Sequence, residues 1–198
     1  MLGDFFKNYL LDLTTVLNKI DEKEYEALIA NLTTALENKA LIFICGNGGS
    51  ASTASHFAGD INKGASYGKE KRFKVICLND NIPTIMAYAN DVSYNDIFVE
   101  QLKNFMNKND LLIGISGSGN SENILRAIRY CNENGGVSFG ISGLGGGKLR
   151  EIAGKSLVIQ SNDMQKVEDA HLVIVHSIMQ WFNRSQSTPL VSGYRGTG

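Results

Sequence analysis

Glycine placement constrains this chain more than any other feature. Among 198 residues there are 21 glycines and only 2 prolines. The glycines gather at 46–49, 114–119, 135–136, 140–147 and 193–198. Four of these groups fall at the ends or starts of apolar runs, where tight strand-to-helix turns belong. The clearest is Cys45-Gly46-Asn47-Gly48-Gly49-Ser50, directly after Leu41-Ile42-Phe43-Ile44. That run is too short for a helix and rich in strand formers, so it reads as a buried strand. Glycine lets the backbone turn sharply and leaves its N–H groups uncovered. Helical character from about Ser50 puts those groups at a helix N-terminus, an anion site by dipole and by unpaired donors. His56 and Asp60 on that helix are four apart, hence on one face.

Two amphipathic helices precede any strand. Residues 3–19 carry Phe5, Phe6, Tyr9, Leu10 and Leu13 at helical spacing, and 22–38 repeat the pattern with Tyr25, Leu28, Leu32 and Leu36. Asp21 is placed to cap the second, with Glu24 three residues on, near a capping box. These helices cover the sheet, or the aromatic-rich first one packs on another subunit. Strands then follow at about 40–45, 73–78, 110–115, 137–141 and 156–160. Helices alternate with them at 50–63, 82–90, 95–107, 121–134, 147–153 and about 164–184. Continuous apolar strands alternating with helices predict an α/β fold, with a five-stranded parallel sheet flanked by helices as a three-layer sandwich. The N-terminal pair (1–38) is additional to it. Residues 1–186 read as one domain without linker or repeat, and 187–198 as a polar, glycine-rich tail. Ligands of such sheets sit beyond the strand C-termini, at a topological switch point.

Composition excludes several functions. Net charge is −1, from 19 basic and 20 acidic residues, and no basic run marks a nucleic-acid surface. No apolar stretch near 18 residues and no basic-then-apolar leader suggest a membrane span or export. Cys45, Cys77 and Cys131 are widely spaced in apolar contexts, which reads as reduced packing cysteines of a cytoplasmic protein, with a catalytic thiol as the alternative.

A second glycine loop matters as much as the first. Ser116-Gly117-Ser118-Gly119-Asn120-Ser121-Glu122-Asn123 follows the strand Leu111–Ile115 and opens a helix. Hydroxyls and free N–H groups at a helix start form a nest that holds phosphate without lysine. One such loop is equally a turn with an N-cap. Two in one parallel sheet predict a phosphorylated ligand. Gly46-x-Gly48-x-x-Ala51 also fits a loose dinucleotide fingerprint, but no acidic residue closes the next strand where a ribose needs one, Asp80 coming later.

The two loops together resemble a sugar isomerase (SIS) domain. His56-Phe57-Ala58, Ala89-Asn90-Asp91, Tyr94-Asn95-Asp96-Ile97-Phe98 and the helix with His171 and His176 extend the resemblance to the phosphoheptose isomerases (sedoheptulose 7-phosphate isomerases), over most of the chain. The resemblance implies a sugar site at Asn47, Gly48 and Gly49, at Asn90 and Asp91, and at Ser116, Gly117, Ser118 and Ser121, with Glu168 also at the substrate. It implies one Zn²⁺ per subunit, held by His56, Asp60, Glu168 and His176, with Asp60 as base and His176 as acid. The family pattern has Glu at Asp60, Gln at Glu168, Thr at Gly117 and Asp at Gln165. Two imidazoles and two carboxylates suit Zn²⁺, and a harder divalent ion as well.

What is implied is aldose–ketose isomerisation through an enediol: sedoheptulose 7-phosphate to D-glycero-D-manno-heptose 7-phosphate, for surface polysaccharide, in a homotetramer. Two alternatives are another phosphosugar and a non-catalytic SIS protein that binds a phosphosugar or a partner protein, as a replication-initiator-associating relative does. Helical geometry raises one difficulty. Glu168 and His176 stand about 12 Å apart along a regular helix, so the helix begins irregularly there or the site is completed across a subunit interface. Read alone, His176 on an apolar helix fits a core histidine as well as a ligand, and His171 a core histidine or a partner of Asp169.

Overall fold

The computed structural model describes residues 2–185; the predicted tail at 187–198 lies outside them. Five strands, β1 (Leu41–Gly46), β2 (Lys74–Cys77), β3 (Leu111–Ser116), β4 (Val137–Ser142) and β5 (Lys155–Val158), form one sheet in the order β2-β1-β3-β4-β5. Every pairing is parallel; β1 meets β3 with Ile42 opposite Leu111 and Gly46 opposite Ile115. The helices are α1 (Leu2–Leu17), α2 (Glu22–Glu37), α3 (Gly49–Gly59), α4 (Ile82–Asp91), α5 (Val99–Phe105), α6 (Glu122–Glu133), α7 (Gly147–Ile152) and α8 (Met164–Ser185). The predicted three-layer α/β arrangement is therefore present, with α1 and α2 ahead of the sheet.

Strand alternation divides the core in two. Ile42 and Ile44 of β1 join the layer of α2, α3 and α8, while Phe43 and Cys45 join the layer of α5, α6 and α7. Both faces of β1 and β3 are buried, which is why these strands read as unbroken apolar runs. Asp21 caps α2 by accepting from Lys23 N and Glu24 N. Glu24 does not complete a capping box; its Oε2 accepts from Val158 N at 2.9 Å and ties α2 to edge strand β5.

Two predicted helices are subdivided. The one expected through residue 63 widens at Asp60 into a π-helical turn, Asp60–Gly64. Bare Gly64 there admits Met179 of α8, whose Sδ would stand 2.8 Å from a Cβ. The one expected at 95–107 is a 3₁₀ turn, Tyr94–Asp96, followed by α5. Helix α1 buries Val16 and leaves Leu2, Phe5, Phe6 and Leu11 more than 60% exposed. Polar contacts hold it to α8: Tyr9 Oη donates to Asp169 at 2.5 Å, and Lys166 Nζ lies 4.9 Å from the Tyr9 ring centre. No described helix is long and apolar enough to cross a membrane.

Candidate active site

Chain direction across the sheet reverses between β1 and β3, and ligands of open parallel sheets bind in the crevice at such a reversal. Both glycine loops leave the C-terminal ends of these two strands. The first turns into α3 on one face and the second into α6 on the other. At the first, Asn79 Oδ1 accepts from Gly46 N at 3.1 Å and Asn79 Nδ2 donates to Gly46 O at 2.8 Å, which fixes the end of β1. A Cβ on Gly46 would stand 2.4 Å from the Ser50 carbonyl oxygen, so only glycine permits the turn. Gly48 has φ +55°. Asn47 reaches across the crevice and exchanges two amide hydrogen bonds, 2.8 and 3.0 Å, with Asn123 of α6.

The second loop is braced from behind. Ser116 Oγ and Ser121 Oγ lie 3.1 Å apart, and Ser118 Oγ accepts from Asn120 N at 3.2 Å. Gly119, at φ +66°, packs so tightly on the carbonyl of Gly146 that a Cβ would come within 1.9 Å of its oxygen. Ser121 sits at the N-cap of α6 without capping it; Asn123 Oδ1 takes the Ile124 N–H, and the Glu122 and Asn123 N–H groups of the first turn remain for an anion. Gly117 is explained by α8: a Cβ there would lie 2.4 Å from Met164 Sδ. The thioether occupies the space of the family's threonine.

Farther along α3, three of the four expected ligands converge. His56 Nε2 and His176 Nε2 are 2.7 Å apart, and Asp60 Oδ2 lies 3.4 and 3.8 Å from them. Asp60 Oδ2 is buried without a hydrogen-bond partner among the described residues, an unsatisfied anionic oxygen facing two imidazole nitrogens. Ligand atoms about 2.0–2.2 Å from a tetrahedral ion lie roughly 3.3 Å from each other, a spacing these contacts bracket. The donor set fits Zn²⁺, and three protein ligands with a fourth position open is the pattern of catalytic rather than structural zinc. The π turn that presents Asp60 is a distortion frequent at functional sites. Ser52, Ser55, His56, Gly59 and Asp60 line a surface cavity of about 610 Å³ beside this triad.

Glu168 is not brought to the triad. Helix α8 is regular from Met164, so an irregular start is ruled out. Its carboxylate stands over Gly49, where a Cβ would lie 2.4 Å from both oxygens. A carboxylate is favoured there by the N-terminus of α3. Asn90 and Asp91 end α4 with exposed side chains, joined by a 2.7 Å hydrogen bond. His171 is a core histidine, 1% exposed; Asp169 takes the Tyr9 hydroxyl instead. Burial pushes the Cys77 and Cys131 thiols up to about 12 and Cys45 upward as well, which leaves no thiolate for nucleophilic chemistry. Sequence reasoning did not single out Asn79, Asn123, Tyr94 or Met164 as site residues. Asn123 and Tyr94 lie inside motifs already quoted, but their contacts join segments 47 and 76 residues apart.

The SIS domain family model matches residues 5–143. A phosphoheptose isomerase of Helicobacter pylori (strain ATCC 700392 / 26695) is 35% identical over 187 residues, covering 93% of this chain and 97% of that protein. One from Aliarcobacter butzleri is 33% identical, covering 91% and 96%. Among solved structures, the phosphoheptose isomerase of Neisseria gonorrhoeae superposes with TM-score 0.84 at 22% identity, over 92% of this chain and 99% of the other. That of Francisella tularensis gives 0.82 at 24%, over 92% and 96%.

Proposed function

The chain belongs to the phosphoheptose isomerase family of SIS-domain proteins and is a phosphosugar isomerase; we propose that its substrate is sedoheptulose 7-phosphate and its product D-glycero-D-manno-heptose 7-phosphate, for surface polysaccharide. The observation that carries the reading is one sheet bearing two glycine loops at its switch point and, about 10 Å along α3, a His₂Asp set with an unsatisfied carboxylate.

The Ser116–Ser121 loop takes the phosphate. The N-terminus of α3 is the poorer place, because the Glu168 carboxylate already stands over Gly49 and repels a second anion. Asn47, Gly48 and Gly49 hold the sugar, with Asn90, Asp91 and Glu168 as further contacts. His56, Asp60 and His176 would hold Zn²⁺. When bound, the ion polarises the substrate's carbonyl oxygen. Isomerisation moves one proton between C1 and C2 and one between their oxygens. Asp60 is the carboxylate base and His176 the imidazole acid.

In one chain the triad lies about two to three helical turns from the sugar loop. We propose a homotetramer in which a neighbouring subunit completes the site, with the exposed apolar face of α1 as contact surface. Glu168 could reach a metal only by that route. The buried reduced cysteines fit a cytoplasmic protein.

The test is aldose formation from sedoheptulose 7-phosphate by the purified protein, with chelator and with added Zn²⁺. Turnover should be lost with chelator and restored by the metal. Asp60→Ala and His176→Ala should each abolish turnover while phosphosugar binding survives. Unchanged turnover in either removes that residue's role; no turnover with any metal points to another phosphosugar.

A further inference from the structure

Asn47 and Asn123 face each other across the crevice, and the polarity of the pair is set by the backbone. The N–H of Ile124 donates to Asn123 Oδ1 at 2.9 Å, so the atom of Asn123 that meets it must be the oxygen. That oxygen also accepts from Asn47 Nδ2 at 2.8 Å. The other half of the exchange is then fixed: Asn123 Nδ2 donates to Asn47 Oδ1 at 3.0 Å. The Tyr94 hydroxyl, from the 3₁₀ turn, donates to the same Oδ1 at 3.1 Å. Asn47 Oδ1 thus holds two donors, and Asn47 Nδ2 retains one N–H without an acceptor among the described residues. Asn123 is 1% exposed and cannot touch a ligand, whereas Asn47 is half-buried and Tyr94 is 55% exposed at the rim.

We propose that Asn123 is a positioning residue which, with Tyr94 as an outer clasp, locks the Asn47 amide so that it offers an N–H and no carbonyl to the sugar. The ligand atom meeting Asn47 is therefore an acceptor, a carbonyl or hydroxyl oxygen of the phosphosugar. The α6 peptide N–H dictates this orientation through one buried amide, so the first turn of α6 controls the side chain after β1. This rests on the phosphosugar isomerase reading above.

Steady-state kinetics with sedoheptulose 7-phosphate tests it on four proteins: wild type, Asn123→Asp, Asn47→Ala and the double variant. Aspartate keeps the shape and the oxygen that takes the Ile124 N–H, and replaces the donor to Asn47 Oδ1 by an acceptor that repels it. Misplacing a substrate-positioning group by about 1 Å costs about 100-fold, and kcat/KM of Asn123→Asp should fall by about that factor. Adding Asn123→Asp to Asn47→Ala should cost nothing further, because the group it positions is already gone. A purely structural role would cost the same factor in both backgrounds. Tyr94→Phe, a surface change, should lower kcat/KM by about 5-fold, the worth of one neutral hydrogen bond, and again only when Asn47 is present. It decides the matter if Asn123→Asp does not fold. Full activity in Asn123→Asp, or losses that multiply in the double variant, overturns the proposal and leaves the isomerase reading standing. A wild type that does not turn over sedoheptulose 7-phosphate with any added metal overturns the substrate assignment above, and with it this proposal for that sugar.

Discussion

Lowering the pH from 7 to 5 should remove about 2 kcal/mol of stability through one side chain, His171. It lies on the buried face of α8, 1% exposed, and neither ring nitrogen has a hydrogen-bond partner among the described residues. Burial pushes its pKa from 6.5 down to about 4, with the Ser142 backbone offsetting only part of that cost. The sign follows from proton uptake. As pH falls, the unfolded chain takes up a proton near 6.5 and the folded chain only near 4. Between those values the unfolded state binds more protons, so stability is full above about 6.5 and is lost as pH falls towards 4. With those two pKa values the loss is about 2 kcal/mol at pH 5 and about 3 at pH 4. Urea denaturation of wild type and His171→Leu, at fixed protein concentration and at pH 7, 6 and 5, isolates the effect. Contributions common to the two proteins cancel in the difference. The leucine variant should lack the drop, so wild type loses about 2 kcal/mol relative to it between pH 7 and 5. A difference constant to within about 0.5 kcal/mol across that range would refute the claim that folding keeps this imidazole neutral.

The glycines of the two loops should respond in opposite ways. Gly49→Ala meets only the movable end of Glu168; stability should stay within about 1 kcal/mol while turnover falls as the carboxylate is displaced, read by urea melts beside kinetics. Gly119→Ala meets the Gly146 backbone at φ +66° and should cost about 3 kcal/mol or more, visible as a lowered melting temperature. Restoring the family's residue with Gly117→Thr should cost about 1–3 kcal/mol by crowding Met164, and Met164→Ala in the same chain should recover most of it in a double-mutant cycle.

Glycine groups after short apolar runs, repeated along the chain, were enough to specify a parallel sheet with helices on both faces. Both loops follow from that alone, because a strand buried on both sides must leave the core through a turn that only small residues allow. Residue type and helical spacing also singled out His56 with Asp60, since four residues is one turn. The family resemblance supplied His176. Whether distant groups meet was a matter for packing. Helices α3 and α8 lie side by side in the same direction, so His56 meets His176 across 120 residues while Glu168, two turns earlier, meets Gly49 instead. Helical geometry already placed Glu168 and His176 farther apart than one ion can bridge; only packing showed that His176 is the one that meets His56. Gly117 looked like a lost hydroxyl until Met164 was found in its place, and Asn123 looked like a loop residue until its amide was found holding Asn47. Periodicity is local and survives in the sequence. The partner of a side chain is set by how helices pack, and that exists only in the folded molecule.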